Sequence, residues 1–293
     1  MQPYARLLRL QGLVFGFSAL LVAGLAAHFS LAVTMPLLLA LSVAILLLGV
    51  PHGALDPIFA RHTFKLKGVG AWVVFVIAYL GLAGSVVCIW FVAPAVWLVL
   101  FLLISVWHFS NDLVPASGWL ARLSYGSSIL VLPALKFSSE LTLLFSDLVN
   151  QNQSAIIVAT LQALAVPVLI LVLMSAAWVV RTDRVTAFEI VSVGILMIFA
   201  TPLLAFTVYF CLMHGLRHIL RTLQLAAAPT LAHLTRVMAL PMLGTLILVA
   251  LALTFVEAQA LEQGLMQLVF VGLAALTVPH MCLVQGFNVR DTH

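Results

Sequence analysis

Five histidines in this chain sit where helix packing alone gives no reason for them. His214 and His218 stand four residues apart in MHGLRHILR, residues 213–221. On a helix that spacing puts two imidazoles on one face, a turn apart, where both can bind one metal ion. His52 follows Pro51 in GVPHGALDP, His108 closes an apolar run in VWHFSND, and His280 follows Pro279 in TVPHMCL. Asp56 and Asp112 come four residues after His52 and His108. If helical geometry continues there, each carboxylate can take the second ring N–H of its histidine and fix the tautomer, as carboxylates do beside metal ligands. The same acids also suit helix ends, since Asp56 precedes Pro57 and Asp112 follows Asn111. Four neutral imidazoles suit Fe(II) and also zinc or copper, and the reactive chemistry would then be the metal's.

The elements that must hold these residues are set by the solvent. The 293-residue chain is 64% hydrophobic and 8% charged, with mean hydropathy +1.23, outside the range of soluble domains. The expected fold is all-α, a polytopic membrane helical bundle forming a single catalytic domain over residues 1–293. Apolar runs near 11–29, 33–51, 70–92, 94–110, 119–135, 155–180, 186–201, 203–222, 237–256 and 264–285 make ten candidate spans. Eight or nine remain alternatives, because 94–110 and 119–135 are short and Thr201-Pro202 divides a longer apolar segment. With the N-terminus inside, every lysine and arginine except Lys136 falls on the cytoplasmic side, along with both termini. The expected location is the cytoplasmic membrane, crossed many times. The second, fourth, eighth and tenth spans then run in one direction and bring all five histidines toward the cytoplasmic side.

Other features exclude more than they suggest. Cys88, Cys211 and Cys282 lie singly in apolar runs, so neither a disulfide framework nor a thiolate metal site is indicated. No basic cluster with interleaved aromatics points to nucleic acid, and there is no phosphate-cradling loop, nucleotide fingerprint or serine nucleophile motif. The first apolar run lacks a small-residue cleavage site and is read as a retained helix. GLVFG at 12–16 matches a close-packing pattern of small residues. The polar connection at 136–154 suits a short amphipathic helix at the interface. Arg217 points away from its flanking histidines, either toward headgroups or to a pairing with Asp56 or Asp112. Trp107, Phe109, Tyr209 and Phe210 are candidates to line an apolar path, while His28, His62, His233 and His293 read as interfacial. Buried histidines also serve membrane haem-binding electron carriers and proton-coupled transporters. Membrane di-iron hydroxylases use a larger histidine set with HxxHH patterns, which this chain lacks.

Taken together and in order, PHGALD, WHFSND, HGLRH and PHM resemble the motifs of the bacterial and archaeal bacteriorhodopsin-related family of β-carotene 15,15′-dioxygenases. The resemblance covers nearly the whole chain, and four ordered motifs are far more specific than any one. It implies cleavage of the central double bond of β-carotene, or a related carotenoid, by O2 to give two all-trans-retinal. It implies Fe(II) as cofactor with His52, His108, His214 and His218 as ligands, and His280, Asp56 and Asp112 as supporting or additional site residues. It also implies a functional link to a retinal-binding rhodopsin. The substrate dissolves in membrane lipid and would enter laterally. Histidines near one leaflet imply a tunnel tilted toward, or nearly parallel to, the membrane plane.

Overall fold

In the computed structural model the described residues, 3–29, 34–225 and 230–290, are helical almost throughout, and none of them forms a strand. His293 lies outside them. The helices are α1 (Pro3–Phe29), α2 (Met35–Ala44), α3 (Asp56–Phe64), α4 (Gly68–Val92), α5 (Pro94–Ser110), α6 (Trp119–Val131), α7 (Ser138–Ser146), α8 (Gln151–Val179), α9 (Arg184–Phe199), α10 (Pro202–Tyr209), α11 (Leu216–Leu225), α12 (Leu231–Leu253) and α13 (Leu261–Arg290). Each of the ten apolar runs falls on helix, which bears out the all-α polytopic expectation. Among the described residues, seven stretches of helix are long and apolar enough to cross a membrane, or eight if residues 119–135 and 138–146, bent by 104°, count as one span. Ten is therefore too many. The α5 helix has 17 residues and α9 has 16, and α9 runs only from its Asp183 cap to extended Ala200, just ahead of Pro202.

The chain divides into two compact units, Met1–Gly49 with Leu98–Leu220 and Val50–Trp97 with Arg221–His293. In the first unit α1 lies along α9, and α8 packs against α6, α7 and α9. The small residues of GLVFG make the α1–α9 approach possible, as expected. A methyl group on Gly16 would fall 2.3 Å from the Phe188 ring, and one on Gly12 would meet Glu189. Local polar groups set the helix starts. Asn150 accepts from Gln153 N at 2.9 Å to open α8, and Asp183 accepts from Val185 N and Thr186 N to open α9. The break at Thr201-Pro202 is real: Ala200 is extended and Pro202 occupies the first turn of α10. The short helix expected in 136–154 is α7.

Two stretches in this unit depart from α geometry. Ile45–Gly49 and Phe210–Gly215 are π turns, and they pack on one another. Gly49 and Gly215 permit the contact. A Cβ on Gly49 would lie 2.4 Å from the Phe210 ring, and one on Gly215 would lie 3.3 Å from the carbonyl oxygens of Leu48 and Gly49. Such turns insert a residue into the helix, re-aim the side chains after it, and recur at functional sites.

In the second unit a 3-10 turn, Val50–Leu55, leads into α3. The α13 helix packs on α3 and α4, and α12 packs on the turn. Pro51 stands in this turn and Pro279 inside α13, each one residue ahead of a histidine. Lys65 closes α3 in the left-handed backbone region, with φ 51°.

Candidate metal centre

In the first unit the C-terminal end of α5 carries His108. The helix stops in a turn in which Asn111 N donates to His108 O and Asp112 N to Phe109 O. Arg122 of α6 pins the turn by donating to Ser110 O at 3.2 Å and to the Asn111 side chain. Asp112 is thereby swung inward and buried. There it accepts from His214 Nδ1 at 3.0 Å and from the Tyr209 hydroxyl. With its proton on Nδ1, His214 presents Nε2 as the bare nitrogen, and this atom lies 3.0 Å from His108 Nε2. Two nitrogens bound at right angles, each about 2.1 Å from one metal ion, are about 3.0 Å apart. The spacing and the tautomer both fit a divalent cation. His218 follows one turn later on α11, half-buried.

Behind this pair lies a buried charge network. Arg217 donates from Nη1 and Nη2 to the two Glu189 oxygens at 2.9 and 2.6 Å. It also donates from Nε to Gln11 Oε1 at 2.9 Å and from Nη1 to the Asp112 carbonyl at 3.2 Å. Gln11 in turn donates to Leu212 O at 2.7 Å, inside the π turn that carries His214. Arg217 and Glu189 are each 3% exposed, so Arg217 does not reach for headgroups. Of its expected carboxylate partners it meets Asp112 only at the backbone.

Aromatic rings enclose the His214 imidazole. Phe210 stacks on it with centroids 5.5 Å apart, and Phe109 meets it edge-on at 5.1 Å. Phe109, Tyr209 and Phe210 are buried, as candidates for an apolar wall should be. Trp107, placed with them by sequence, is 58% exposed and faces outward.

The second unit repeats the arrangement with different helices. Asp56, in the first turn of α3, accepts from His280 Nδ1 of α13 at 2.6 Å and from the Tyr79 hydroxyl of α4 at 2.7 Å. The His52 ring stands edge-on to that of His280, centroids 5.3 Å apart. Asp56, His52 and His280 are all buried. Each unit therefore holds a tyrosine, an aspartate and a histidine in one chain of bonds, beside a second histidine. Sequence spacing paired Asp112 with His108 and Asp56 with His52. The bonds run instead to His214 and His280, because both acids lie at a change of helix geometry, where the i to i+4 relation no longer holds.

The family model described as β-carotene 15,15′-dioxygenase matches residues 43–288. The chain belongs to the β-carotene 15,15′-dioxygenase family. The curated β-carotene 15,15′-dioxygenase of uncultured marine bacterium 66A03 is 30% identical over 264 residues, 82% of this chain and 90% of that relative. No solved structure matches.

All five histidines and both aspartates lie within the matched segment of the dioxygenase family. Sequence reasoning missed Tyr79, Glu189 and Gln11. Glu189 carried a usable signal as an acidic residue inside the apolar run 186–201, since ionisable groups in such runs are costly and tend to be partnered. Tyr79 and Gln11 had no signal, because a single uncharged hydroxyl or amide within an apolar helix does not stand out as an ionisable group does.

Proposed function

We propose that this chain cleaves the central 15,15′ double bond of β-carotene with O2, giving two molecules of all-trans-retinal. Membership of the dioxygenase family supports the reaction class. The observation that carries the metal assignment is the 3.0 Å approach of His108 Nε2 and His214 Nε2, with His214 Nδ1 held by buried Asp112. His52, His108, His214 and His218 are the proposed ligands. His280, oriented by Asp56 and Tyr79, is an additional nitrogen available to the site. Fe(II) held by these imidazoles supplies the redox chemistry with O2 that no side chain here offers.

The rest of the work belongs to the chain. Asp112 and Asp56 keep the Nδ1 protons of His214 and His280 in place, so that each Nε2 stays a donor of its lone pair. Phe109 and Phe210 present apolar faces and exclude water from the His214 ring. The carotene gives up its C=C bond, O2 gives up its O=O bond, and each central carbon takes one oxygen. No proton enters or leaves, so no general acid or base is required. We place the enzyme in the cytoplasmic membrane as one catalytic domain, drawing its carotenoid laterally from lipid through a tunnel inclined toward the membrane plane. A retinal-binding rhodopsin would use the product.

The test is expression in bacteria that accumulate β-carotene, with retinal and protein-bound iron measured together. The native chain is expected to yield retinal and to purify with iron. A doubly substituted variant, His214→Ala with His218→Ala, should yield neither at normal expression. Undiminished β-carotene beside iron-loaded native protein would reject this substrate.

A further inference from the structure

The second unit carries a basic cavity that the proposed reaction does not use. It has a volume of about 680 Å³ and is lined by Phe59, Arg61, Lys65, Lys67, Trp72 and Val237 among others, with no carboxylate in its wall. Arg61, Lys65 and Lys67 put three permanent cations within seven residues, and no described acidic residue forms an ion pair with any of them. Like charges gathered in a concavity repel one another, and a bound anion removes that repulsion.

The position and the lining say which anion. Residues 65–67 join two stretches long and apolar enough to cross a membrane, Met35–Phe64 and Gly68–Val92, and Val237 belongs to a third, Leu231–Leu253. The cavity therefore opens where spans end, at headgroup depth. Its cations lie beside an apolar wall that includes buried Phe59 and the indole of Trp72. A free inorganic anion has no use for that wall, whereas a phospholipid matches both parts. Lys65 adds a separate sign. It ends α3 in a left-handed conformation that glycine adopts freely and lysine only at a cost, and the chain has an ammonium there.

We propose that Arg61, Lys65 and Lys67 bind the phosphate of one anionic phospholipid, with its glycerol and upper acyl region against Phe59, Trp72 and Val237. The site does not depend on the reaction assigned above.

The full-length protein, delipidated in detergent, would be titrated with dioleoyl phosphatidylglycerol, dioleoyl phosphatidylcholine and inorganic phosphate, and bound species counted by native mass spectrometry. One phosphatidylglycerol should bind in preference to phosphatidylcholine. At the strength usual for basic residues at an anionic surface, about fivefold in affinity per cation, the variant Arg61→Gln, Lys65→Gln, Lys67→Gln should lose roughly a hundredfold. Lys65→Gly, which relieves the backbone and so keeps the fold, should lose about fivefold. Arg181→Gln, a basic residue of the first unit, should change nothing. Equal loss in Arg181→Gln, or none in the triple variant, would overturn the site as mere surface charge. Displacement of the lipid by millimolar inorganic phosphate would reassign the cations to a free anion and overturn the lipid.

Discussion

Substituting Gly12→Ala tests whether the buried charge network of the first unit is held from α1. A Cβ at Gly12 would stand 1.7 Å from Glu189 Oε1 and 3.0 Å from Arg217 Nη2, roughly 1.5 Å short of an ordinary contact with the carboxylate. Glu189 cannot turn aside cheaply, because both its oxygens are bound to Arg217 at 2.6 and 2.9 Å in a site without water-exposed alternatives. Breaking a buried pair on one side costs about 3–5 kcal/mol, while alanine in place of a helical glycine returns about 0.5–1 kcal/mol. The expected net loss is about 2–4 kcal/mol. Gly24 is the control on the same helix, since its Cβ would meet nothing within 4 Å. Thermal unfolding in one detergent should place Gly12→Ala roughly 5 °C or more below the native chain, with Gly24→Ala at or slightly above it. Equal midpoints for the two variants would refute the reasoning, because the carboxylate would then be free to move without cost.

The other predictions concern the same network and the bonds that orient the histidines. Glu189→Gln alone should destabilise by about 3–5 kcal/mol, as should Arg217→Met alone, whereas Glu189→Leu with Arg217→Met should recover most of the loss, because no charge is left buried without its partner. Additive losses in the double variant, by the same unfolding assay, would contradict this. Asp112→Asn should weaken iron binding about 10–100-fold, read by competition with a chelator. Tyr209→Phe removes a donor to that carboxylate and should act in the same direction, by about tenfold. Iron affinity unchanged in both variants would remove Asp112 from the support of His214.

Much of the site was legible in the sequence for a reason tied to the membrane. An apolar run makes each ionisable residue conspicuous, so His52, His108, His214, His218 and His280 stood out against their surroundings, and the two aspartates stood out with them. Spacing along the chain could not give their partners. The rule that residues four apart face each other needs continuous α geometry, and Asp112 sits in a turn after α5 while Asp56 opens α3 behind a 3-10 turn. Nor could it give the two π turns, which cost backbone regularity and are compensated only by contacts distant in sequence, Gly49 against Phe210 among them.

The sequence by itself determined that the chain is a polytopic membrane helical protein and named the histidines and aspartates of the proposed site, because hydropathy and residue type are local properties. It also carried the family resemblance in four short motifs. Only the tertiary structure decided that Asp112 serves His214 and Asp56 serves His280, that Tyr209 and Tyr79 complete these bonds, and that Arg217 is neutralised by Glu189 rather than by water. Those pairings join residues 23 to 224 positions apart. Their hydrogen bonds depend on how helices pack, and a pattern read along one helix carries no record of its neighbours.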